Sequence, residues 1–214
     1  MINIAVTSLK GGTGVTAIVS GLAQAASVDE LDVVCVDGDP QETLKYHLGL
    51  VALTKAESES RVRDRITICA PDTGAGRADI VLWDVPSSKP EWSQSVLDRA
   101  DAIILVVSAS AVSVTMARAI KEFLAAADNR YLLINGVDGR IAIKRASCGY
   151  LAGHFADWLV GQIRHDEAID EAVANLEPLS VSAPYSAAWG DMRTALSNVV
   201  KRMESQTVTF IESL

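Results

Sequence analysis

Apolar residues in this chain come in unbroken runs. Ile103-Ile104-Leu105-Val106-Val107 is the clearest of them. A strand with one wet face alternates apolar and polar side chains. A continuous run means burial on both faces, as in a parallel sheet covered by helices. Such runs predict strands near 2–7, 32–37, 66–70, 79–84, 102–107, 130–135 and 158–163. Segments with helical spacing lie between them and predict helices near 14–27, 41–49, 90–99, 111–127, 143–156, 166–175 and 186–204. Strand and helix alternate from end to end. The fold class this predicts is α/β, a doubly wound and mostly parallel sheet in a single domain over 1–214. The charged segment 54–65 reads as a solvated surface connection. Pro71 to Arg77 reads as a turn, and a plain loop is favoured over a phosphate role for its Gly-x-Gly because no helical pattern follows.

Four polar elements stand at the ends of these strands, where open α/β sheets bind ligands. The first is Lys10-Gly11-Gly12-Thr13-Gly14-Val15-Thr16-Ala17, between the first strand and the first helix. Glycines there let backbone N–H groups approach phosphate oxygens, and the helix N-terminus favours their charge. Thr16 is placed to offer a hydroxyl to Mg²⁺. The second element is Asp37-Gly38-Asp39-Pro40-Gln41, two acids on the turn after an apolar strand. The third is Asp84, closing Ile80-Val81-Leu82-Trp83, in the form of a carboxylate that holds Mg²⁺ through water. The fourth is Asn135, whose amide can both donate to and accept from a base edge. Each has a plainer reading as well. Asp37 and Asp39 can cap the next helix, Asp84 can simply end a strand, and Asn135 can be a turn residue. Their order behind the glycine loop favours a nucleotide site.

Composition narrows the setting. Of the 214 residues 49% are hydrophobic, ample for a buried core. Met1 leads straight into a core strand with no secretory pattern, and Cys35, Cys69 and Cys148 are odd in number and scattered, so a reducing, cytoplasmic setting is expected. His47, His154 and His165 show no metal-ligand spacing with those cysteines. A formal net charge of −8 argues against nucleic-acid binding by bulk charge. Two local basic groups remain, Arg140, Lys144 and Arg145, and Arg193, Lys201 and Arg202; solvated helix faces are the favoured reading of both. The end, Thr207 to Leu214, is short and acidic where a membrane anchor would be basic, so no direct anchor is expected. Trp92 and Trp189 read as core or helix-face residues.

The whole chain resembles the ParA/MinD family of P-loop ATPases with a deviant Walker A box. The resemblance rests on Lys10-Gly11-Gly12 together with Asp37-Gly38-Asp39-Pro40-Gln41. It implies ATP and Mg²⁺ as ligands and a homodimer closed around ATP, with Lys10 reaching the partner's phosphates. It also implies metal contacts from Thr16, Asp37 and Asp84, a water-orienting role for Asp39, a switch loop at Pro86-Ser87-Ser88-Lys89 and adenine contact at Asn135. In partition ATPases of this family, basic patches bind non-specific DNA. The stretch Ile163 to Ala172, with Leu133-Ile134-Asn135 and Asp84-Val85-Pro86, is similar to the BcsQ-like branch encoded in bacterial cellulose-synthase operons. That likeness implies protein partners in a cellulose-synthase complex. One departure stands out. The loop lysine expected before Thr16 is Val15. Valine supplies no charge to the β and γ phosphates, which predicts ATP binding with slow or lost hydrolysis. A metabolic ATP-using enzyme on the same fold would need its own acid–base pocket, and none is evident in the sequence.

Overall fold

The computed structural model describes residues 1–50, 59–63, 65–71, 76–88 and 90–212. Within these residues the strands are β1 (Ile2–Thr7), β2 (Val33–Asp37), β3 (Glu59–Arg63), β4 (Ile66–Cys69), β5 (Ile80–Val85), β6 (Ala102–Ser108), β7 (Arg130–Val137) and β8 (Leu159–Arg164). They form one sheet in the order β3-β4-β2-β5-β1-β6-β7-β8. Every neighbouring pair is parallel except β3 with β4. All seven expected strands occur, and they are buried as their apolar runs require except β8, an edge strand in which Val160 and Ile163 are buried while Gln162 and Arg164 are exposed. β1 lies between β5 and β6, with Ile4, Ala5 and Val6 fully buried.

Helices cover both faces. On one face α1 (Val15–Val28), α2 (Leu44–His47), α7 (Ala168–Ala174), α8 (Leu179–Ser182) and α9 (Ala187–Glu212) contribute to the largest apolar cluster, which includes Ile4, Val6, Leu22, Leu44 and Met192. On the other face α3 (Pro90–Leu97), α4 (Ala111–Thr115), α5 (Ala117–Leu124) and α6 (Ala142–His154) pack on Ala5, Ile103, Leu105 and Leu132. Cys35, Cys69 and Cys148 are free thiols, buried as small core residues.

Four local expectations change. Residues 59–63, read as part of a solvated connection, form an antiparallel edge strand on β4 instead. The charge in Glu59-Ser60-Arg61-Val62-Arg63 hides a strand from an apolar pattern. Residues 54–58 and 64 of that connection, and most of the turn at 71–77, lie outside the described residues, as do Lys89 and the last two residues. The single helix expected over 111–127 divides at Met116. Its first turns carry Val112, Ser113, Val114 and Thr115, all weak helix formers, and the Thr115 hydroxyl donates back to the Val112 carbonyl at 2.7 Å. The helix expected over 41–49 shortens to Leu44–His47. There Asp39 Oδ1 accepts the Gln41 N–H at 2.9 Å, so an aspartate turn displaces the first helical turn. At the other end of the chain α9 continues to Glu212, past the expected limit at 204.

Two glycines in helices make opposite predictions. A methyl group built on Gly21 in α1 would fall on Sδ of Met192 from α9, whereas one built on Gly149 in α6 would meet nothing within 4 Å. Gly21→Val should therefore cost about 1–3 kcal/mol by overpacking. Gly149→Ala should stabilise by about 0.5–1 kcal/mol by restricting the unfolded chain. Urea denaturation midpoints measure both.

Candidate functional site

The four strand-end elements meet at the C-terminal edge of the sheet, around β1. The phosphate loop leaves β1 with Thr7 Oγ1 donating to the Val85 carbonyl at 3.1 Å, and Ser8 Oγ donating to the Lys10 carbonyl at 2.7 Å. Gly12 and Gly14 have φ of 74° and 88°, in the left-handed region that only glycine adopts freely. Gly14 is the N-cap of α1 and offers no side chain there. Gly11 and Gly12 are exposed with open space over both, so their backbone is accessible to a ligand. Val15, the position of the missing lysine, is half-buried and packs against the main apolar cluster. Lys10 lines a cavity of about 10 Å³ with Leu9, Thr13, Val106 and Met116.

Asp84 is the buried centre of the arrangement. It is 2% exposed, and its register partners on either side are Val6 of β1 and Asp37 of β2. The Thr16 hydroxyl donates to its carboxylate, and its backbone carbonyl accepts the Gly38 N–H at 3.1 Å. Its Oδ2 is buried and has no hydrogen-bond partner among the described residues. Burial, opposed by the Thr16 bond, pushes the Asp84 carboxyl up to about 7, with the charges of Asp37 and Asp39 adding to the rise. Burial likewise raises Asp37 to about 6, although the N–H groups of Asp39 and Leu44 bind its carboxylate. Asp37 therefore faces the site beside Asp84, with the Asp39 N–H donating to its carboxylate at 3.0 Å, while the N-cap of α2 is Thr43.

Two neighbouring carboxyl groups held above their usual range, one of them with an orphaned buried oxygen, and a threonine hydroxyl form a hard-oxygen donor set that suits Mg²⁺. The described residues contain no group of three His, Cys, Asp or Glu side chains able to hold a metal ion. That also fits Mg²⁺, which is commonly held by one or two carboxylates with waters and phosphate oxygens completing its shell.

Asn135 comes to the site in a way the sequence did not reveal. Its Nδ2 donates to the Thr13 carbonyl at 2.8 Å, and its Oδ1 accepts the Gly136 N–H at 2.8 Å. A methyl group on Gly14 would collide with Nδ2. Asn135 thus braces the phosphate loop from β7. The structure also places Trp92 of α3 against Gly38: a methyl group built on Gly38 would fall on the ring edge at Cη2 and Cζ3 and 2.6 Å from the Asp84 carbonyl oxygen. The glycine of Asp-Gly-Asp was the available clue to that close approach. Asp39 is half-buried on the same turn. Trp189 is buried in the main cluster, as its core reading requires.

The two basic groups separate. Arg140 pairs with Asp138 at 2.9 Å and holds that carboxyl down to about 2, while Arg145 donates to the Gly139 carbonyl at 2.6 Å. These residues follow β7, beside the site. Arg202 donates to the carbonyls of Asp157 and Leu159, where β8 begins, and Arg193 pairs with Asp29 past the C-terminus of α1 at 3.5 Å. The second group therefore lies at the opposite end of the sheet. Among the described residues no helix is long and apolar enough to cross a membrane.

Residues 4–179 match the CobQ/CobB/MinD/ParA nucleotide binding domain. The chain belongs to this family. Its fold is similar to that in the MinC:MinD cell division protein complex of Aquifex aeolicus, at 17% identity over 94% of this chain and 96% of that one, with a TM-score of 0.76. MinD from Pyrococcus horikoshii, solved with Mg-ADP, is similar at 19% identity over 92% and 95% of the two chains, with a TM-score of 0.73. A ParA family ATPase from Chlorobium tepidum gives 18% identity, 92% and 97% coverage and a TM-score of 0.73. No curated protein sequence matches this chain. The seven parallel strands and flanking helices are those of the ParA/MinD P-loop fold.

The raised carboxyl of Asp84 makes a signed prediction for the ligand-free protein. Between its ordinary value of 3.8 and about 7 the folded chain keeps a proton that the unfolded chain has lost. Stability should therefore fall as pH rises through that window, and level off above it. Asp84→Asn removes this proton. Denaturant titrations from pH 4 to 8 should show wild type losing stability relative to the variant by a few kcal/mol over that range.

Proposed function

We propose that this protein is an ATP-binding dimerisation switch of the ParA/MinD type that hydrolyses ATP slowly or not at all. The observation that carries the reading is the strand-end loop with Val15 half-buried against the main apolar cluster and Thr16 tied to the buried Asp84. Backbone N–H groups of Gly11 to Ala17 would receive the phosphates, with the α1 N-terminus favouring their charge. Thr16, Asp37 and Asp84 would hold Mg²⁺, which supplies charge neutralisation at the phosphates. Asp39 would orient a water, and Asn135, besides bracing Thr13, would border the adenine. These last two roles rest on the family resemblance.

The lost loop lysine bears more on rate than on binding. Removing one preorganised donor at a developing charge typically costs about 3–4 kcal/mol, or a factor of 10²–10³ in rate. Backbone donors, the helix end, Mg²⁺ and Lys10 all remain for binding. Lys10 would reach phosphates in its own subunit or across a homodimer. The two nucleotide states would then present different surfaces to protein partners, because a ligand shifts a two-state equilibrium by its differential affinity. The likeness of Ile163 to Ala172 to the BcsQ-like branch points to components of a cellulose-synthase secretion complex as those partners.

Partition on DNA is the competing reading, and the distribution of charge tells against it. The basic groups sit at opposite ends of the sheet, and their arginines are engaged by Asp138, Asp29 and backbone carbonyls.

Light scattering with Mg²⁺ and no nucleotide, ADP or ATP in turn tests the switch. The expected result is a monomer that doubles in mass only with ATP, and Lys10→Ala should abolish the doubling. Phosphate release should run at least about 100-fold below that of lysine-bearing ParA/MinD ATPases. Turnover at their ordinary rate overturns the impaired-hydrolysis reading. ATP-dependent, strongly salt-sensitive DNA binding establishes partition instead.

A further inference from the structure

We propose that Trp92 is a positioning residue for the nucleotide site: its indole clamps the Asp37-Gly38-Asp39 turn against the end of β5, fixing the carboxylates before any ligand arrives. The proposal rests on the nucleotide reading for what the clamp serves, and on geometry alone for the clamp itself.

The turn is held from two sides. Gly38 donates its N–H to the Asp84 carbonyl at 3.1 Å, and the outer edge of the Trp92 ring covers its Cα so closely that a methyl group could not be added. Trp92 is itself fixed. Its ring lies 6.4 Å from that of Trp83 on β5 at a tilt of 54°, and it packs with Val85, Val96 and Ala5 in a separate apolar cluster. The connection from Asp84 to α3 is fastened at both ends. Thr7 Oγ1 donates to the Val85 carbonyl at 3.1 Å, and Ser93 Oγ donates to the Pro86 carbonyl at 2.7 Å. The indole therefore links the segment that follows Asp84 to the turn that carries Asp37 and Asp39. A movement of one is transmitted to the other through a ring contact with no slack.

The size of the indole separates clamping from ordinary core packing. Cη2 and Cζ3 belong to the benzo ring, the part of tryptophan that a phenylalanine in the same rotamer cannot reach. Trp92→Phe keeps an aromatic ring in the cluster with Trp83 and withdraws only the edge over Gly38.

Two measurements on the full chain test this. Amide hydrogen exchange of the ligand-free protein reads the clamp directly. Trp92→Phe should speed exchange at Gly38 about tenfold or more, while Val34 to Val36 of β2 stay as protected as in wild type. Titration with mant-ATP reads its purpose. In Mg²⁺ the variant should bind about tenfold more weakly than wild type, and in EDTA the two should bind alike. Unchanged exchange at Gly38 overturns the clamp. An equal loss of affinity in Mg²⁺ and EDTA shows a packing role only and overturns the positioning role. Wild-type protein that binds mant-ATP in neither condition overturns the nucleotide reading and the purpose assigned to the clamp, a failure visible without the variant.

Discussion

The burial of one carboxylate, Asp84, is the constraint on which the rest of the site depends. It stands on the strand beside β1, 2% exposed, with a buried oxygen that no described residue satisfies. An ionised carboxylate in such a place is expensive unless something compensates it. The chain supplies partial compensation in the Thr16 hydroxyl, and then surrounds the group with more acid in Asp37 and Asp39. That is a poor arrangement for an isolated protein and a good one for a cation. The backbone of the same residue organises the second acidic turn through the Gly38 N–H. Loop, turn and strand end are thus tied to each other through the two ends of a single aspartate.

Val15 shows how the family scaffold tolerates a chemical loss. The side chain before Thr16 does not hang in an emptied phosphate pocket but is absorbed by the main apolar cluster. Gly12, Gly14 and the α1 N-terminus keep the conformation that presents backbone donors. On the proposed reading, the features that would recognise a phosphate and the feature that would speed its transfer are physically separable here. Retaining the first without the second is the structural basis for reading the protein as a switch.

Most of the fold was legible because burial on both faces leaves unbroken apolar runs, and all seven expected strands were found within two residues of their limits. β3 was not legible, since the charges of Glu59, Arg61 and Arg63 read as a wet loop and only pairing with β4 makes a strand of them. The division at Met116 followed from local polar competition that helical spacing does not register. At the site, Lys10 to Ala17, Asp37, Asp39, Asp84 and Asn135 were named from order and position. What they do to each other was hidden, because it depends on contacts between distant parts of the chain. Asn135 meets Thr13 across 122 residues, and Trp92 meets Gly38 by the shape of one ring. Asp37 binds the N–H of Asp39 two residues on, a local turn contact that the order of acids along the chain does not disclose.

The place of β1 in the sheet has a consequence for how the molecule folds. β1 is flanked by β5 and β6, which begin at Ile80 and Ala102 and so follow it by long stretches of chain. Until those strands pair with it, β1 has no partner in the sheet, and its glycine loop has no wall to lean on. The brace from Asn135 comes later still. Pairings of such long range form slowly, because the intervening chain must be ordered first. The glycine loop after β1 therefore takes its support from strands and a side chain that lie far along the chain from it.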